Sequence, residues 1–189
     1  ISSQSIKRCT LKVMNNSLKN IFISENLYKS AKKIGYFKNN YCISYNGVDT
    51  EKFYPLQEKI IESNKNELGL GEIVVGYVGN LLQVKRADKL IEIFKLVNTK
   101  LNKDISFIIV GDGVERNNIE KDAKQYNINL KMIGKVDPDE VARYMNIMDV
   151  MILPSRREGL GCVILEANAC GTIVIGSNNG GIPEAIGHK

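Results

Sequence analysis

Two carboxylates and a run of glycines carry the densest chemistry in this sequence. Leu153-Pro154-Ser155-Arg156-Arg157-Glu158-Gly159-Leu160-Gly161 leads directly into Cys162-Val163-Ile164-Leu165-Glu166-Ala167-Asn168-Ala169-Cys170-Gly171. The second string predicts an apolar, buried helix, and the glycines before it leave its first amides open to an anion, which the helix dipole also favours. Glu166 is the one charged residue in that helix. A carboxylate in apolar surroundings is costly without a partner. One turn inside the helix start, about 6 Å along the axis, it could accept hydrogen bonds from ribose hydroxyls while phosphates rest on the amides of Cys162 and Val163. The structural alternative is a first-turn Glu that merely complements the dipole.

Three further loops hold residues of interest. Gly76-Tyr77-Val78-Gly79-Asn80 ends an apolar run, with Lys85 and Arg86 expected at the start of the next helix. Glycine permits close approach to backbone amides, and Lys85 offers a point charge for phosphate. Gly111-Asp112-Gly113 lacks the third glycine of a dinucleotide fingerprint and is a weak signal for a nicotinamide cofactor. Asp137-Pro138-Asp139 has the D-x-D form that binds manganese in one class of sugar transferases, but it also fits a helix start, with Asp137 as N-cap, Pro138 at the first helical position, and Asp139 and Glu140 facing the dipole. We favour the cap and expect no metal.

These loops need a scaffold. From Glu72 onward, short apolar runs alternate with amphipathic ones, which predicts strands over Ile73–Val78, Ile105–Val110, Leu130–Ile133, Val150–Leu153 and Thr172–Ile175. Between them, Leu90, Phe94, Val97 and Leu101 form one helical stripe, and Val141, Tyr144, Met145 and Met148 another. The result is an α/β, Rossmann-like, doubly wound parallel sheet whose ligand loops gather outside the carboxyl ends of the strands. Ahead of it, Ile21–Ser24 and Tyr41–Ser44 read as strands flanking a helix over Glu25–Ile34, and the polar stretch Gln57–Gly71 reads as a connection.

Composition narrows the class. With 189 residues, 43% hydrophobic and 25% charged, the chain can bury a core, and it has no apolar run approaching the roughly 20 residues of a membrane span. Four cysteines without a C-x-x-C pair or a neighbouring histidine point to reduced cytosolic thiols and not to zinc. The net charge of +5 is concentrated in residues 1–40, where eight basic residues face Glu25 alone. This basic front admits contact with an anionic membrane surface, while the lack of interleaved aromatics argues against nucleic acid.

Spacing alone does not distinguish Glu158 and Glu166 from a chance pair, but their setting does. Pro-Ser, then Glu158, Gly159-Leu160-Gly161 and a Glu-Ala-x-Ala-Cys-Gly helix together resemble the donor-site signature of glycosyltransferase family 4, the retaining GT-B enzymes. Asn46-Gly47-Val48-Asp49 with Phe53-Tyr54-Pro55, Val78-Gly79 with Lys85, Ile109–Gly113, Ile133-Gly134 and Gly180-Gly181-Ile182-Pro183-Glu184 match in the same order.

The resemblance implies the C-terminal half of a GT-B fold. Residues 1–46 would end an N-terminal acceptor domain, 47–71 would connect, and 72–189 would form most of the C-terminal nucleotide-sugar domain, without its last elements. Glu158 would contact donor-sugar hydroxyls and Glu166 the ribose; the Gly159–Val163 backbone, including the amides of Leu160, Gly161, Cys162 and Val163, would hold sugar and diphosphate. Lys85 would hold the diphosphate beside Gly79, and Ile133-Gly134 the base. Asn80 stands where many relatives carry an arginine, and Arg86 would replace its charge. The implied reaction transfers a hexosyl unit with retention from a nucleotide sugar to a saccharide or lipid-linked acceptor in surface polysaccharide or glycolipid synthesis. It requires no cofactor, would take place in the cytoplasm or at the inner membrane face, and calls for both domains. Alternatives are a nucleotide-sugar epimerase or hydrolase on the same fold, a donor-binding pseudoenzyme, and a glycosidase-like carboxylate pair.

Overall fold

The computed structural model describes residues 3–101 and 103–187. Five strands, β3 (Ile73–Val78), β4 (Ile105–Val110), β5 (Leu130–Gly134), β6 (Val150–Leu153) and β7 (Ile173–Gly176), form one parallel sheet in the order β5-β4-β3-β6-β7. All six residues of β4 and all of β3 except Ile73 are buried, as expected of central strands covered on both faces. Helices α4 (Leu90–Lys100), α5 (Arg116–Gln125), α6 (Val141–Asn146), α7 (Cys162–Ala169) and α8 (Ile182–Ile186) link or follow the strands. Phe94 of α4 stacks on Phe107 of β4 with ring centroids 4.4 Å apart, and both are fully buried. Truncating either to alanine should cost about 3–5 kcal/mol, since the packed sheet cannot collapse into the space left.

The chain runs outward in one direction through β3, β4 and β5, then returns to the other side of β3 for β6 and β7. The reversal lies between β3 and β6, and the loops leaving these neighbours diverge there to open a crevice. This topology places the loop after β3, with Lys85, opposite the loop after β6, with Glu158.

The front of the chain has its own small core. β1 (Asn20–Phe22) and β2 (Tyr41–Ile43) pair in parallel, with α1 (Ser3–Asn16) and α2 (Glu25–Ile34) packed around Phe22, Ala31 and Tyr36. Ser24 caps α2 by accepting from the Leu27 amide at 3.1 Å, and Gly35 closes it at φ 112°, a left-handed cap that glycine adopts without strain.

The strands and α2 lie within a residue or two of their expected ends. Helix α1, and α3 (Glu58–Glu67) inside the expected connection, were not anticipated, and α5 was implied only by the alternation of strands and helices. Helix α3 buries none of its residues completely, and the face it turns to the core holds Asn64 and Lys65 beside Ile61, so its sequence shows no apolar stripe. Two local expectations also change. Lys85 and Arg86 lie on a pair of short 3-10 turns before α4 and not at a helix start. Asp137-Pro138-Asp139 forms a turn, with the Glu140 amide donating to the Asp137 carbonyl at 2.9 Å, and α6 begins only at Val141. Asp139 instead pairs with Lys52 at 2.7 Å, which holds its carboxyl below the usual range by hydrogen bonding and charge. Among the described residues no helix is long and apolar enough to cross a membrane.

Candidate functional site

A cavity of about 250 Å³ opens at the carboxyl ends of β3 and β6. Gly79, Asn80 and Lys85 line one side, and Glu158, Gly161, Cys162 and Val163 the other. The Lys85 ammonium donates to Glu158 Oε1 at 2.5 Å across 73 positions of sequence. Only 11% of the Glu158 side chain is exposed, so the ion pair is largely shielded from water on the carboxylate side. Helix α7 starts at the cavity wall. Its N-cap, Gly161, has φ 90° and supplies no side-chain cap; the Ile164 amide donates to the Gly161 carbonyl at 2.9 Å, which leaves the amides of Cys162 and Val163, both at the cavity wall, as the uncapped ones.

The remaining expected residues surround the cavity without lining it. Glu166 follows Cys162 by four positions and Val163 by three, so it continues the same helical face one turn away. It is half-buried and has no hydrogen-bond or ion-pair partner among the described residues. Burial raises its carboxyl above the usual range, and the charge of Lys52 offsets this in part. Helix α7 is itself less buried than its composition implies: only Ile164 and Ala167 are fully enclosed, because one face borders the crevice. Gly159 and Leu160 form the loop behind Glu158, with Leu160 buried. Arg86 adopts a left-handed conformation beside Lys85, and its Nε is buried without a partner among the described residues. Ile133 and Gly134 end β5, two strands or about 10 Å from β3.

Gly111 and Gly113 have a packing role. A Cβ at Gly111 would collide with the Gly79 carbonyl, and one at Gly113 with the Leu81 carbonyl. The Leu81 amide donates to the Asp112 carbonyl at 2.9 Å, so this loop seats the one before Lys85.

Two contributors were missed as site residues. Tyr77, fully buried, donates its hydroxyl to the Asn80 carbonyl at 2.9 Å, and burial followed by the charge of Glu158 pushes its pKa upward. Asn46 Nδ2 donates to Cys162 Sγ at 3.0 Å, bringing the segment between the two cores to the start of α7. A tyrosine inside a strand reads as core, whereas Asn46 stood in a recognised motif whose reach into the site depends on tertiary contact.

Residues 58–189 match the family model described as glycosyl transferases group 1. The chain is 32% identical over 146 residues to the N-acetyl-alpha-D-glucosaminyl L-malate synthase of Bacillus anthracis, covering 76% of this chain and 37% of that protein. It is 30% identical over 178 residues to the capsular polysaccharide biosynthesis glycosyltransferase CapM of Staphylococcus aureus, covering 92% of this chain and 44% of that protein. Its fold superposes on Anabaena Alr3699/HepE, solved in complex with UDP, with a TM-score of 0.85 at 24% identity over 97% of this chain and 51% of that one. The chain thus spans about half or less of the length of these proteins. With its Rossmann-like sheet and a family match covering most of its length, the chain belongs to the group 1 glycosyl transferases, whose solved relatives have the GT-B fold.

Proposed function

We propose that this chain is the donor-binding part of a retaining glycosyltransferase that moves a hexosyl unit from a nucleoside-diphosphate sugar to a saccharide or lipid-linked acceptor. The observation that carries the reading is the meeting of Lys85, Glu158 and the uncapped start of α7 in one cavity at the switch point of the sheet. Each part has a distinct task. The α7 amides and Lys85 meet the two phosphates and stabilise the negative charge that develops as the diphosphate departs. Glu158 accepts from hydroxyls of the donor sugar. Glu166, on the continuing face of α7, accepts from the ribose, and the end of β5 at Ile133-Gly134 borders the base. Arg86 adds positive charge in place of the arginine absent at position 80. Retention follows if the leaving phosphate takes the acceptor proton on the face it vacates, with no metal taking part.

In this reading residues 1–46 close an acceptor domain, 47–71 connect, and 72–189 hold the donor. The protein works in the cytoplasm, with the basic front residues favouring an anionic membrane surface. The names of the capsular-polysaccharide relative and of the UDP-bound neighbour support a nucleotide-sugar substrate and a place in surface polysaccharide or glycolipid synthesis. Calorimetry with uridine, guanosine and adenosine diphosphates, each with and without chelator, tests the donor site. Binding of one of them that survives the chelator is expected, and binding of none, or binding lost with the chelator, overturns the reading. Multiple turnover by residues 1–189 alone would overturn the domain division, because acceptor and donor must be held together for transfer.

A further inference from the structure

The peptide groups that carry Glu158 and Gly159 are gripped from two sides. The Ser24 hydroxyl, fully buried, donates to the Gly159 carbonyl at 2.6 Å, and the Gly181 amide donates to the Glu158 carbonyl at 3.1 Å. Gly180 and Gly181 lie so close to these carbonyls that a Cβ at either would collide with them. Ile23 reaches within 3.1 Å of the place a Gly159 side chain would occupy.

The two grips are joined behind the loop. Three residues beyond Gly181, the Glu184 carboxylate accepts from the Glu25 amide at 2.7 Å and from the Asn26 amide at 2.7 Å, the first two amides of α2. Ser24 satisfies the third, that of Leu27, at 3.1 Å. The start of α2 therefore has its first three amides satisfied by one residue of its own module and one from the far end of the chain. A closed circuit results, from Gly159 to Ser24, through the first turn of α2 to Glu184, and back along the chain to Gly181 and Glu158. A docking contact that served only to hold the front core in place would have no need to engage the loop that aims Glu158 at Lys85.

We propose that Ser24 and Glu184 are positioning residues, a clamp through which the front module sets the orientation of Glu158, so that recognition of the donor sugar depends on the front module being docked. The inference rests on the role given to Glu158 above. Neither residue touches substrate, and both act through the Glu158–Gly159 backbone.

Hydrogen exchange of the whole chain tests the clamp without any ligand. In Glu184→Gln the amide group can accept from only one of the two α2 amides and turns an N–H toward the other. We expect faster exchange in residues 156–162 and in the first turn of α2, with β3 and β4 unchanged. Ser24→Ala should loosen the same loop, and the double variant should loosen it little more than either single one, because both act on one circuit. Glu184→Asp, which keeps the charge, should restore most of the protection. Calorimetry with UDP and UDP-glucose gives a second readout. The clamp variants should weaken UDP-glucose by about five- to tenfold, within the usual range of coupling between sites, and UDP much less, since its contacts are Lys85 and α7. Fraying of α2 with the 156–162 loop as protected as in the wild type would overturn the clamp. Failure of the wild type to bind either nucleotide would count against the donor reading, and the exchange result would still decide the clamp.

Discussion

The two ends of the same five strands carry cavities of opposite character. The larger, about 1000 Å³, lies at the amino ends between α3 and the starts of β3 and β7, and the smaller, about 250 Å³, at the carboxyl ends. In the larger groove the polar groups at its floor, Lys65, Asn146 and Asp149, are committed to the fold, while Glu58 and Glu62 stand exposed at its rim. Lys65 bonds Asp149 at 3.1 Å and the Glu72 carbonyl at 2.9 Å, Asp149 accepts from the Val74 amide at 2.7 Å, and Asn146 bonds the backbone of Leu56, Tyr54 and Ala142. At the small end, among the described residues, the Lys85 and Glu158 side chains bond only each other, Glu166 has no partner, and the buried orphan atoms Arg86 Nε and Ser155 Oγ both sit on its loops. Uncommitted hydrogen-bonding capacity at converging strand ends, and not volume, marks a site prepared for a ligand.

Substitutions at the two ends should therefore have different consequences. Lys85→Ala removes the positive charge that lines the cavity at the proposed diphosphate position, and turnover of the full-length enzyme should fall by about 10²- to 10³-fold. Wild-type turnover would refute the role of Lys85. Next in size, Glu166→Gln should weaken a free nucleoside diphosphate and its sugar equally, by about 1.5–3 kcal/mol for a lost charged hydrogen bond. Glu158→Gln should weaken only the sugar form. Because the substitution also releases Lys85 from its 2.5 Å partner, the free diphosphate should bind as tightly as before or more tightly. Equal losses for both ligands in calorimetry of Glu158→Gln would contradict the division of labour.

At the amino end, Asp149→Asn should cost about 1 kcal/mol of stability through the Val74 amide, leaving nucleotide affinity unchanged in the same calorimetric assay. A loss of affinity there would erase the contrast between the two ends.

The smallest effect concerns pH. Burial raises the Glu166 carboxyl in the folded state, so the folded protein retains a proton that the unfolded chain has released, and the charged form opposes folding above the usual carboxylate range. Without ligand, Glu166→Gln should melt slightly higher than wild type at about pH 7, and the gap should close as the pH falls toward about 4. Bound nucleotide should reverse the order at pH 7, because hydroxyl donors favour the ionised carboxylate. An unchanged gap across the range would show that Glu166 titrates as an exposed group.

Much of this was legible in the residue order. The continuous apolar runs of β3 and β4 can only be covered strands, and Glu158 with Glu166 stood out because glycines and an apolar helix surround them. Helix α3 escaped because the face it packs against the core mixes Asn64 and Lys65 with Ile61, and α1 because apolar residues such as Ile6 and Val13 lie exposed, off the face of Leu11 and Met14 that packs inward. Asp137-Pro138-Asp139 carries the same residue signals whether it caps a helix or makes a turn, and Lys52, distant in sequence, engages its second aspartate. Gly111 and Gly113 signal close backbone approach, but the chain alone does not say whether a cofactor or another loop approaches; here it is the loop holding Gly79 and Leu81.

Alternating strand and helix periodicity, a local property, determined the α/β class and the gathering of the loops after the strands on one edge. Strand order is a different matter, because every parallel arrangement of these five strands satisfies the same local pattern. Only the tertiary structure set β6 beside β3 and so brought Lys85 to Glu158. It likewise joined Ser24 to Gly159 and Glu184 to α2. Contacts between residues 73, 135 and 159 positions apart are selected by how whole elements bury one another's faces, and that competition is not written in any single segment.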